Sequence, residues 1–274
     1  MLSRDVPDDA TAAAVLRLAA QIEAEDGAPP LSDQTLTHLR APHIGHVVVR
    51  EAGELRGYAQ HDAGTAEIAA TLDAAPALVE AVAEPRLLVW SHGRHSRLVP
   101  VFEAHGFAPA RELYQLRRRL DQLPEDPPLA EDVIVRAFRP GVDDDAWLAV
   151  NAAAFATHPE QSRWTRDDLQ ARIAEPWFDA VGFLLAERDG ELLGFHWTKV
   201  HPDGLGEVYV LGIAPAAQAL GLGKALLVRG LRHLAGRGCP AVLLYVDGDN
   251  DGAMRLYERI GFNRHDLDIQ WRVP

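Results

Sequence analysis

The sequence predicts an α/β protein built from two tandem copies of one domain, each a mixed sheet flanked by helices. Two blocks recur in the same order along the 274 residues. VVVREAGELRGY at 47–58 aligns with LLAERDGELLGF at 184–195, and each reads as a hairpin of strand, tight Gly-Glu turn and strand. Farther along, Pro85 to Phe107 corresponds to Pro240 to Phe262, and both segments span 22 positions. Two repeats in the same order indicate a duplicated domain.

A proline-rich, acidic stretch separates the two copies. DQLPEDPPLAED at 121–132 has the composition of an interdomain linker. We therefore predict a first domain at 1–120, a linker at 121–132 and a second domain at 133–274. A chain of 274 residues is long enough for two domains of ordinary size.

Charge and cysteine content exclude several classes of protein. The formal net charge of −13 argues against nucleic-acid or membrane-surface binding, because a phosphate-binding face needs clustered cations. The single cysteine, Cys239, excludes an internal disulfide framework and favours a reducing cytoplasm, and its place before a predicted core strand suits a small buried side chain. No signal peptide or membrane-length apolar run is evident. We assign no metal, because the histidines do not show a metal-binding spacing: His43, His46, His158, His196 and His201.

The two copies differ in length at one place. Tyr58 lies 27 positions before Pro85, whereas Phe195 lies 45 positions before Pro240, so the first copy is shorter by 18 positions. The first copy keeps a strand-like TAEIAATL and a short helix AAPALVEAVA, but it lacks the Gln-x-x-Gly-x-Gly turn of the second copy. Whatever this turn binds, we expect only the second domain to bind it.

The glycine turn joins a predicted central strand to a predicted helix. GEVYVLGI is a continuous apolar run, and Gly212 and Pro215 suggest a bulge or splay where the next strand should pair. The leucines after the turn share one helical face: Leu222, Leu226, Leu227, Leu231 and Leu234. Gly221 and Gly223 at the start of that helix would let an anion approach unpaired backbone N–H groups. The pattern predicts a phosphate or pyrophosphate site, although glycines that only permit a tight turn are the alternative.

These motifs carry a resemblance to a known family. Gln218-x-x-Gly221-x-Gly223 after a strand, followed by AVLLYV, Asn250 and a helix ending in LYERIGF, resembles the GNAT superfamily of N-acetyltransferases. More narrowly, FHWTKVHPDGLGEVYVLGIAPAAQ and LLYVDGDNDGAMRLYERIGF resemble the tandem-domain mycothiol acetyltransferases of that superfamily. Ala219-Leu220 departs from the more usual Gly-Arg of the loop.

The resemblance implies two GNAT-like acyl-CoA N-acyltransferase domains, of which only the second is catalytic. It implies acetyl-CoA as acetyl donor, bound through three segments of the second copy: Leu211, Gly212 and Ile213; Gln218, Ala219, Leu220, Gly221, Leu222, Gly223 and Lys224; and Asn250, Asp251, Gly252, Ala253, Met254 and Arg255. Asn250 is also expected to cap the helix that follows it.

Two residues are predicted to carry the chemistry. Glu207 opens the central strand, where its carboxylate is suited to accept the ammonium proton, although a solvated strand end is the alternative. Tyr257 has the helical spacing of a core residue, but the resemblance implies a general acid facing the cofactor sulfur. Phe102 occupies the equivalent position in the first copy and has no proton to give, which agrees with a first domain that performs no chemistry.

The resemblance also implies the amine substrate and its ligands. The substrate is desacetylmycothiol, whose ammonium and hydroxyl groups suit acids, a lysine and a phenol: Asp33, Glu160, Lys199, Glu207 and Tyr245. For Asp33 the alternative is an acid at a helix N-terminus with Ser32 as the cap. We expect a cytoplasmic monomer that binds neither nucleic acid nor membrane. Two other functions stay open, namely a GNAT enzyme for another amine or protein N-terminus, and a non-catalytic acyl-CoA sensor.

Overall fold

In the computed structural model, the described residues are 1–62, 64–84, 86–156 and 161–273. Their helices in chain order are α1 Asp9–Asp26, α2 Asp33–Thr37, α3 Ala75–Val82, α4 Val99–Ala104, α5 Asp144–Ala154, α6 Arg166–Ile173, α7 Leu222–Gly236 and α8 Asp251–Arg259. Their strands are β1 Leu2–Ser3, β2 Gly45–Glu51, β3 Glu54–Asp62, β4 Thr65–Ala70, β5 Leu88–Ser91, β6 Ala108–Arg119, β7 Ile134–Ala137, β8 Phe183–Arg188, β9 Glu191–Val200, β10 Gly206–Ile213, β11 Ala241–Asp247 and β12 Asn263–Arg272.

The chain divides into two compact units that depart from simple sequence order. Unit 1 comprises Met1–Gln115, Val246–Asp251 and Arg264–Pro274, and unit 2 comprises Leu116–Tyr245 and Gly252–Asn263. Most of β12, which the repeat assigns to the second copy, therefore belongs to unit 1. The stretch 121–132 forms no helix or strand and belongs to unit 2. Which residues form the catalytic domain stays a prediction.

Unit 1 is a mixed sheet with helices packed against it. Its strands follow the order β1-β2-β3-β4-β5-β12, with β4 and β5 parallel and the other neighbouring pairs antiparallel. Ile68, Leu78, Val89 and Phe102 are buried in one apolar cluster with Trp271 of β12. The last strand thus contributes directly to the core of unit 1.

Unit 2 repeats the mixed-sheet plan with a different aromatic core. Its strands follow the order β11-β10-β9-β8-β7, and only β10 and β11 pair in parallel among them. Trp147, Phe183, Phe195 and Trp197 form a buried cluster on this sheet. Both units therefore confirm the mixed α/β sheets predicted from the repeat.

Both predicted hairpins are present, but each turn lies one residue earlier than predicted. Glu51 pairs with Glu54 and Arg188 pairs with Glu191, which leaves Ala-Gly and Asp-Gly as the two-residue turns. All four turn residues have positive φ, at 48° and 88° in the first hairpin and 51° and 81° in the second. Two successive positive φ values match the twist of the flanking strands, so the glutamate begins the next strand instead of closing the turn.

The predicted splay occurs along β10. Parallel pairing with β11 is confined to Gly206 with Val242 and Glu207 with Leu243, whereas pairing with β9 continues to Ile213. The register with β9 also shifts between Val208 and Val210, so β10 carries a bulge. Beyond Glu207, the side of β10 that faces away from β9 has no partner strand in this pairing.

Helix α7 is fixed against the sheet of unit 2. The five leucines predicted to share its inner face are each exposed by 2% or less. His196 of β9 donates from Nδ1 to the Leu226 carbonyl at 2.9 Å, and burial lowers the pKa of His196 to about 4, which keeps the ring neutral. This packing sets the position of the α7 N-terminus.

Candidate active site

The glycine turn exposes backbone N–H groups at the start of α7. Ala219 and Gly221 have left-handed φ values of 71° and 75°. The first hydrogen bond of the helix runs from the Ala225 N–H to the Gly221 carbonyl at 3.2 Å. The N–H groups at 222–224 precede that bond, so they lie at the positive end of the helix dipole without an intrahelical acceptor. This geometry is suited to bind an anion.

The three segments predicted to bind the cofactor approach one another at Gly223. A Cβ atom placed on Gly223 would lie 3.7 Å from Ile213 Cγ1 on β10 and 3.9 Å from Leu256 Cδ2 on α8. Those distances are ordinary van der Waals contacts. The end of β10, the glycine turn and α8 therefore surround one region, with the bare backbone of Gly223 within it.

The segment Leu211–Ile213 lies on the splayed part of β10. These residues pair with His196, Phe195 and Gly194 of β9 on one side only. A strand edge left without a partner presents backbone N–H and C=O groups at regular spacing. Such an edge is suited to hydrogen-bond an extended, amide-containing ligand.

Glu207 is a buried carboxylate in a polar cluster. It is only 8% exposed, so the alternative of a solvated strand end is wrong. Its Oε2 atom lies 2.8 Å from His201 Nε2 and 4.0 Å from Lys199 Nζ. Lys199 is the residue paired with Glu207 across β9 and β10. The structure thus places two of the predicted substrate residues side by side.

Aromatic side chains surround Lys199. Its Nζ atom lies 5.2 Å from the centroid of the Trp177 ring and 5.7 Å from that of Tyr209. Arg172 donates from Nε to the Tyr209 hydroxyl at 3.1 Å. Sequence reasoning missed these aromatic residues and His201. Two sequence features could have indicated these residues. One is the YVL run where the central strand bulges, and the other is the six-residue spacing of His201 and Glu207 across a Pro-Asp-Gly turn.

Tyr257 lies on α8 and is 8% exposed. Burial raises the pKa of its phenol to about 12, so the hydroxyl keeps its proton at neutral pH. Its ring makes an edge contact with Phe262 at a centroid distance of 5.7 Å. The packing role predicted from helical spacing is present, and the acid role stays a prediction.

The remaining predicted site residues lie in several places. Tyr245 lies on β11 and is 45% exposed, and Asn250 immediately precedes α8. Asp33 is the first residue of α2 in unit 1, where Ser32 caps the helix by accepting from the Thr35 N–H, as in the structural alternative. Its substrate role stays a prediction. Glu160 and His158 lie outside the described residues.

Neither a metal-binding cluster nor a membrane-spanning helix is present among the residues that the structure describes. Within them, no group of three or more His, Cys, Asp or Glu side chains is arranged to hold a metal ion. None of the helices described there combines the length and apolarity required to span a bilayer. Cys239 is buried, and burial raises the pKa of its thiol.

A splayed central strand, a glycine turn and a helix that begins with free N–H groups define an acetyltransferase of the GNAT class. The acetyltransferase (GNAT) family model matches residues 147–262. Solved structures agree on the fold over the whole chain. A GCN5-related N-acetyltransferase from Sphaerobacter thermophilus aligns with a TM-score of 0.75 at 24% identity, covering 99% of this chain and 95% of that one. A tandem GNAT protein from the clavulanic acid biosynthesis pathway aligns with a TM-score of 0.70 at 16% identity, covering 100% of this chain and 98% of that one.

Full-length relatives narrow the assignment. The mycothiol acetyltransferase of Streptomyces coelicolor is 50% identical over 282 residues, covering 95% of this chain and 91% of the relative. The mycothiol acetyltransferase of Thermomonospora curvata is 46% identical over 275 residues, covering 95% of this chain and 93% of the relative. The chain belongs to the mycothiol acetyltransferase family and is an acetyltransferase.

Proposed function

We propose that the protein transfers the acetyl group of acetyl-CoA to the cysteinyl amine of desacetylmycothiol, which forms mycothiol. The observation that carries the proposal is the buried Glu207 carboxylate on the splayed strand, beside Lys199. Full-length similarity to mycothiol acetyltransferases supports the choice of amine. The two alternatives from the sequence, another amine or a sensor without turnover, lack a specific observation in their favour.

The glycine turn and the splay fit acetyl-CoA. The N–H groups at 222–224 are suited to its pyrophosphate, and the unpaired edge at Leu211–Ile213 is suited to its pantetheine amides. Helix α8 approaches the same region through Leu256, and the segment from Asn250 to Arg255 keeps its predicted role in cofactor binding. Acetyl-CoA supplies an acyl group on a thioester, which an amine can attack. These residues bind and orient it.

Glu207 and Tyr257 are proposed to move the protons. The Glu207 carboxylate accepts one proton from the substrate ammonium, which leaves a neutral amine with a free electron pair. That amine forms the C–N bond as the C–S bond breaks, and the nitrogen releases its second proton to the Tyr257 phenolate that donation to sulfur leaves behind. The proton held by Glu207 passes to water, which restores both residues. The Tyr257 hydroxyl donates its proton to the departing sulfur, and a pKa near 12 means that it is protonated beforehand.

Lys199 and Tyr245 are proposed to bind the substrate. Desacetylmycothiol carries many hydroxyl groups, and an ammonium donor and a phenol suit such acceptors and donors. Lys199 is held between Glu207 and the rings of Trp177 and Tyr209, so its head group is oriented before substrate arrives. Asp33 and Glu160 keep the roles that the sequence predicts, without structural support.

The test is an amine screen with the purified protein. CoA release is measured with acetyl-CoA and desacetylmycothiol, a polyamine, an aminoglycoside or a peptide with a free N-terminus, and mass spectrometry identifies the product. We expect desacetylmycothiol to give the highest kcat/KM. Glu207→Gln should lower that value by about 100-fold or more, since it removes the base while keeping the shape. A higher kcat/KM for another amine, or acetyl-CoA binding without turnover, would overturn the proposal.

A further inference from the structure

His201 forms a hydrogen bond with Glu207, the proposed base. We propose that His201 is a positioning residue that orients the Glu207 carboxylate; this inference rests on the proposed function of Glu207 as the base. Nε2 of His201 lies 2.8 Å from Oε2 of Glu207, which is a hydrogen bond of ordinary length. Because an ionised carboxylate only accepts, Nε2 carries the proton and donates it.

The chain fixes His201 at this point through a tight turn between β9 and β10. The His201 N–H donates to the Leu205 carbonyl at 2.8 Å, and the Gly204 N–H donates back to the His201 carbonyl at 2.9 Å. Gly204 has a φ of 85°, which a side-chain-bearing residue rarely adopts. Asp203 Oδ1 accepts from the Leu205 N–H at 3.0 Å. The imidazole is thus held by a closed turn and does not depend on a flexible loop.

The sheet register places His201 on the correct face. Lys199 is directly opposite Glu207, and side chains of a strand alternate between faces. His201, two residues beyond Lys199, therefore lies on the same face and diagonally next to Glu207, within reach of a long side chain. The hydrogen bond follows from the register and the turn together.

The two carboxylate oxygens of Glu207 have different roles in this proposal. His201 Nε2 and Lys199 Nζ both contact Oε2. We therefore assign the other oxygen, Oε1, to the amine proton. A hydrogen bond donated to the ionised form of a carboxylate favours that form, and His201 supplies such a bond to the buried Glu207 side chain. His201 itself is 26% exposed at its side chain, so its ring also reaches solvent.

The pH dependence of catalysis provides the test, because a purely structural histidine would not alter it. Charged and titratable groups facing the pair are Lys199 on β9, and Tyr209 on β10 with Arg172 on α6. His201→Gln keeps an amide N–H at about the reach of Nε2, whereas His201→Asn is too short and His201→Leu has no donor. We expect the Leu and Asn variants to lower kcat/KM for the amine by about tenfold and the Gln variant to retain most of it.

The acid limb of the pH profile gives the second readout. In the Leu and Asn variants it should move to higher pH, because the carboxylate loses the donor that stabilises its charge. The KM for acetyl-CoA should stay close to that of the wild-type protein in all three variants. In a Glu207→Gln background, adding His201→Asn should cost little further activity, because the group that His201 positions is gone.

The outcomes separate this inference from the proposed function. If wild type and Glu207→Gln behave as expected but His201→Asn keeps the wild-type rate and pH profile, the positioning role is wrong and the function stands. If Glu207→Gln is fully active, Glu207 is not the base, so its assigned role and the positioning role of His201 both fail, whereas the amine screen decides the proposed function separately. If His201→Leu unfolds at the assay temperature, the comparison of Gln with Asn decides the question, since both are polar and differ in reach. Equal losses in Gln and Asn with an unmoved acid limb would also overturn the inference.

Discussion

Trp271 donates a hydrogen bond from its indole Nε1 to the Ser91 hydroxyl at 2.8 Å, across 180 positions of sequence. This bond joins β12 to β5, and the two strands pair antiparallel from Leu88 to Ser91. The last strand of the second copy therefore completes the sheet of unit 1. Removing that contact should destabilise unit 1 although the change lies nine residues after the GNAT match ends at 262.

We expect Trp271→Ala to cost about 3–5 kcal/mol, because the indole is buried against Phe102 and its removal leaves a cavity. Thermal unfolding followed by circular dichroism measures the loss. Arg272→Ala, the same truncation at the exposed neighbour on β12, is the control and should change stability by about 0.5 kcal/mol or less. Equal effects at both positions would contradict the role of the indole.

The pH dependence of stability should report on His92 in unit 1. Burial disfavours its imidazolium, but the carboxylates of Asp268 and Glu67, at 3.2 and 3.6 Å from its ring nitrogens, outweigh burial and raise the pKa of His92 to about 10. A pKa raised above the ordinary 6.5 means that the contribution is complete below about pH 6.5 and is lost as pH rises toward 10. The denaturation free energy of wild type should therefore exceed that of His92→Gln at pH 6, and the gap should shrink by pH 10.

His95→Gln is the matched control for this comparison. His95 is exposed three residues farther along, so the same exchange there should leave stability and its pH dependence close to wild type. Urea unfolding at pH 6, 8 and 10 measures all three proteins. A gap between wild type and His92→Gln that is independent of pH would show that the imidazole packs without holding its charge.

Tyr257→Phe separates packing from proton donation. The change keeps the ring that contacts Phe262 and removes only the hydroxyl. We expect kcat to fall by at least about tenfold, with acetyl-CoA affinity and melting temperature near wild type. Tyr58→Phe is the control, because Tyr58 is a buried tyrosine of unit 1 that donates to Gln60, so its loss should affect stability and not kcat. Full kcat in Tyr257→Phe would return this residue to a packing role.

Gly223→Ala tests the glycine turn without disturbing the fold. The added methyl group would meet Ile213 and Leu256 at ordinary contact distances, so stability should hold, but it would cover the backbone that an anion approaches. The KM for acetyl-CoA should rise by about tenfold or more, whereas Gly236→Ala, which meets nothing within 4 Å at the end of α7, should leave it unchanged. Unaltered acetyl-CoA affinity in Gly223→Ala would indicate that the glycines only permit a tight turn and do not form an anion site.

Calorimetric titration should give one acetyl-CoA per chain. Only the second copy carries the glycine turn, and in the first copy β4 ends at Ala70 and α3 begins at Ala75, which leaves no room for an equivalent loop. Glu207→Gln should keep the same stoichiometry, because the base is not needed for binding. Two equivalent sites would show that the first copy binds the cofactor in another way.

Much of the fold and part of the site were predictable from local pattern. GEVYVLGI predicted β10 at Gly206–Ile213, and the leucine spacing predicted the buried face of α7. These predictions succeeded because strand and helix periods are written in neighbouring residues. The turn position in the hairpins was wrong by one residue, because the Gly-Glu pair gave no sign that Ala52 and Asp189 adopt positive φ.

The sequence by itself determined the duplication, the loss of the loop from the first copy and the identity of the candidate base and acid. The duplication and the missing loop follow from the comparison of two segments, and Glu207 was a candidate from its place at the start of the central strand. The acid role of Tyr257 was implied by the resemblance to the GNAT superfamily. Only the tertiary structure decided that His201 contacts Glu207, that Lys199 lies over the rings of Trp177 and Tyr209, and that β12 joins unit 1. Those facts depend on strand register and on pairing between distant segments, whose energies come from packing and hydrogen bonds that local sequence does not specify.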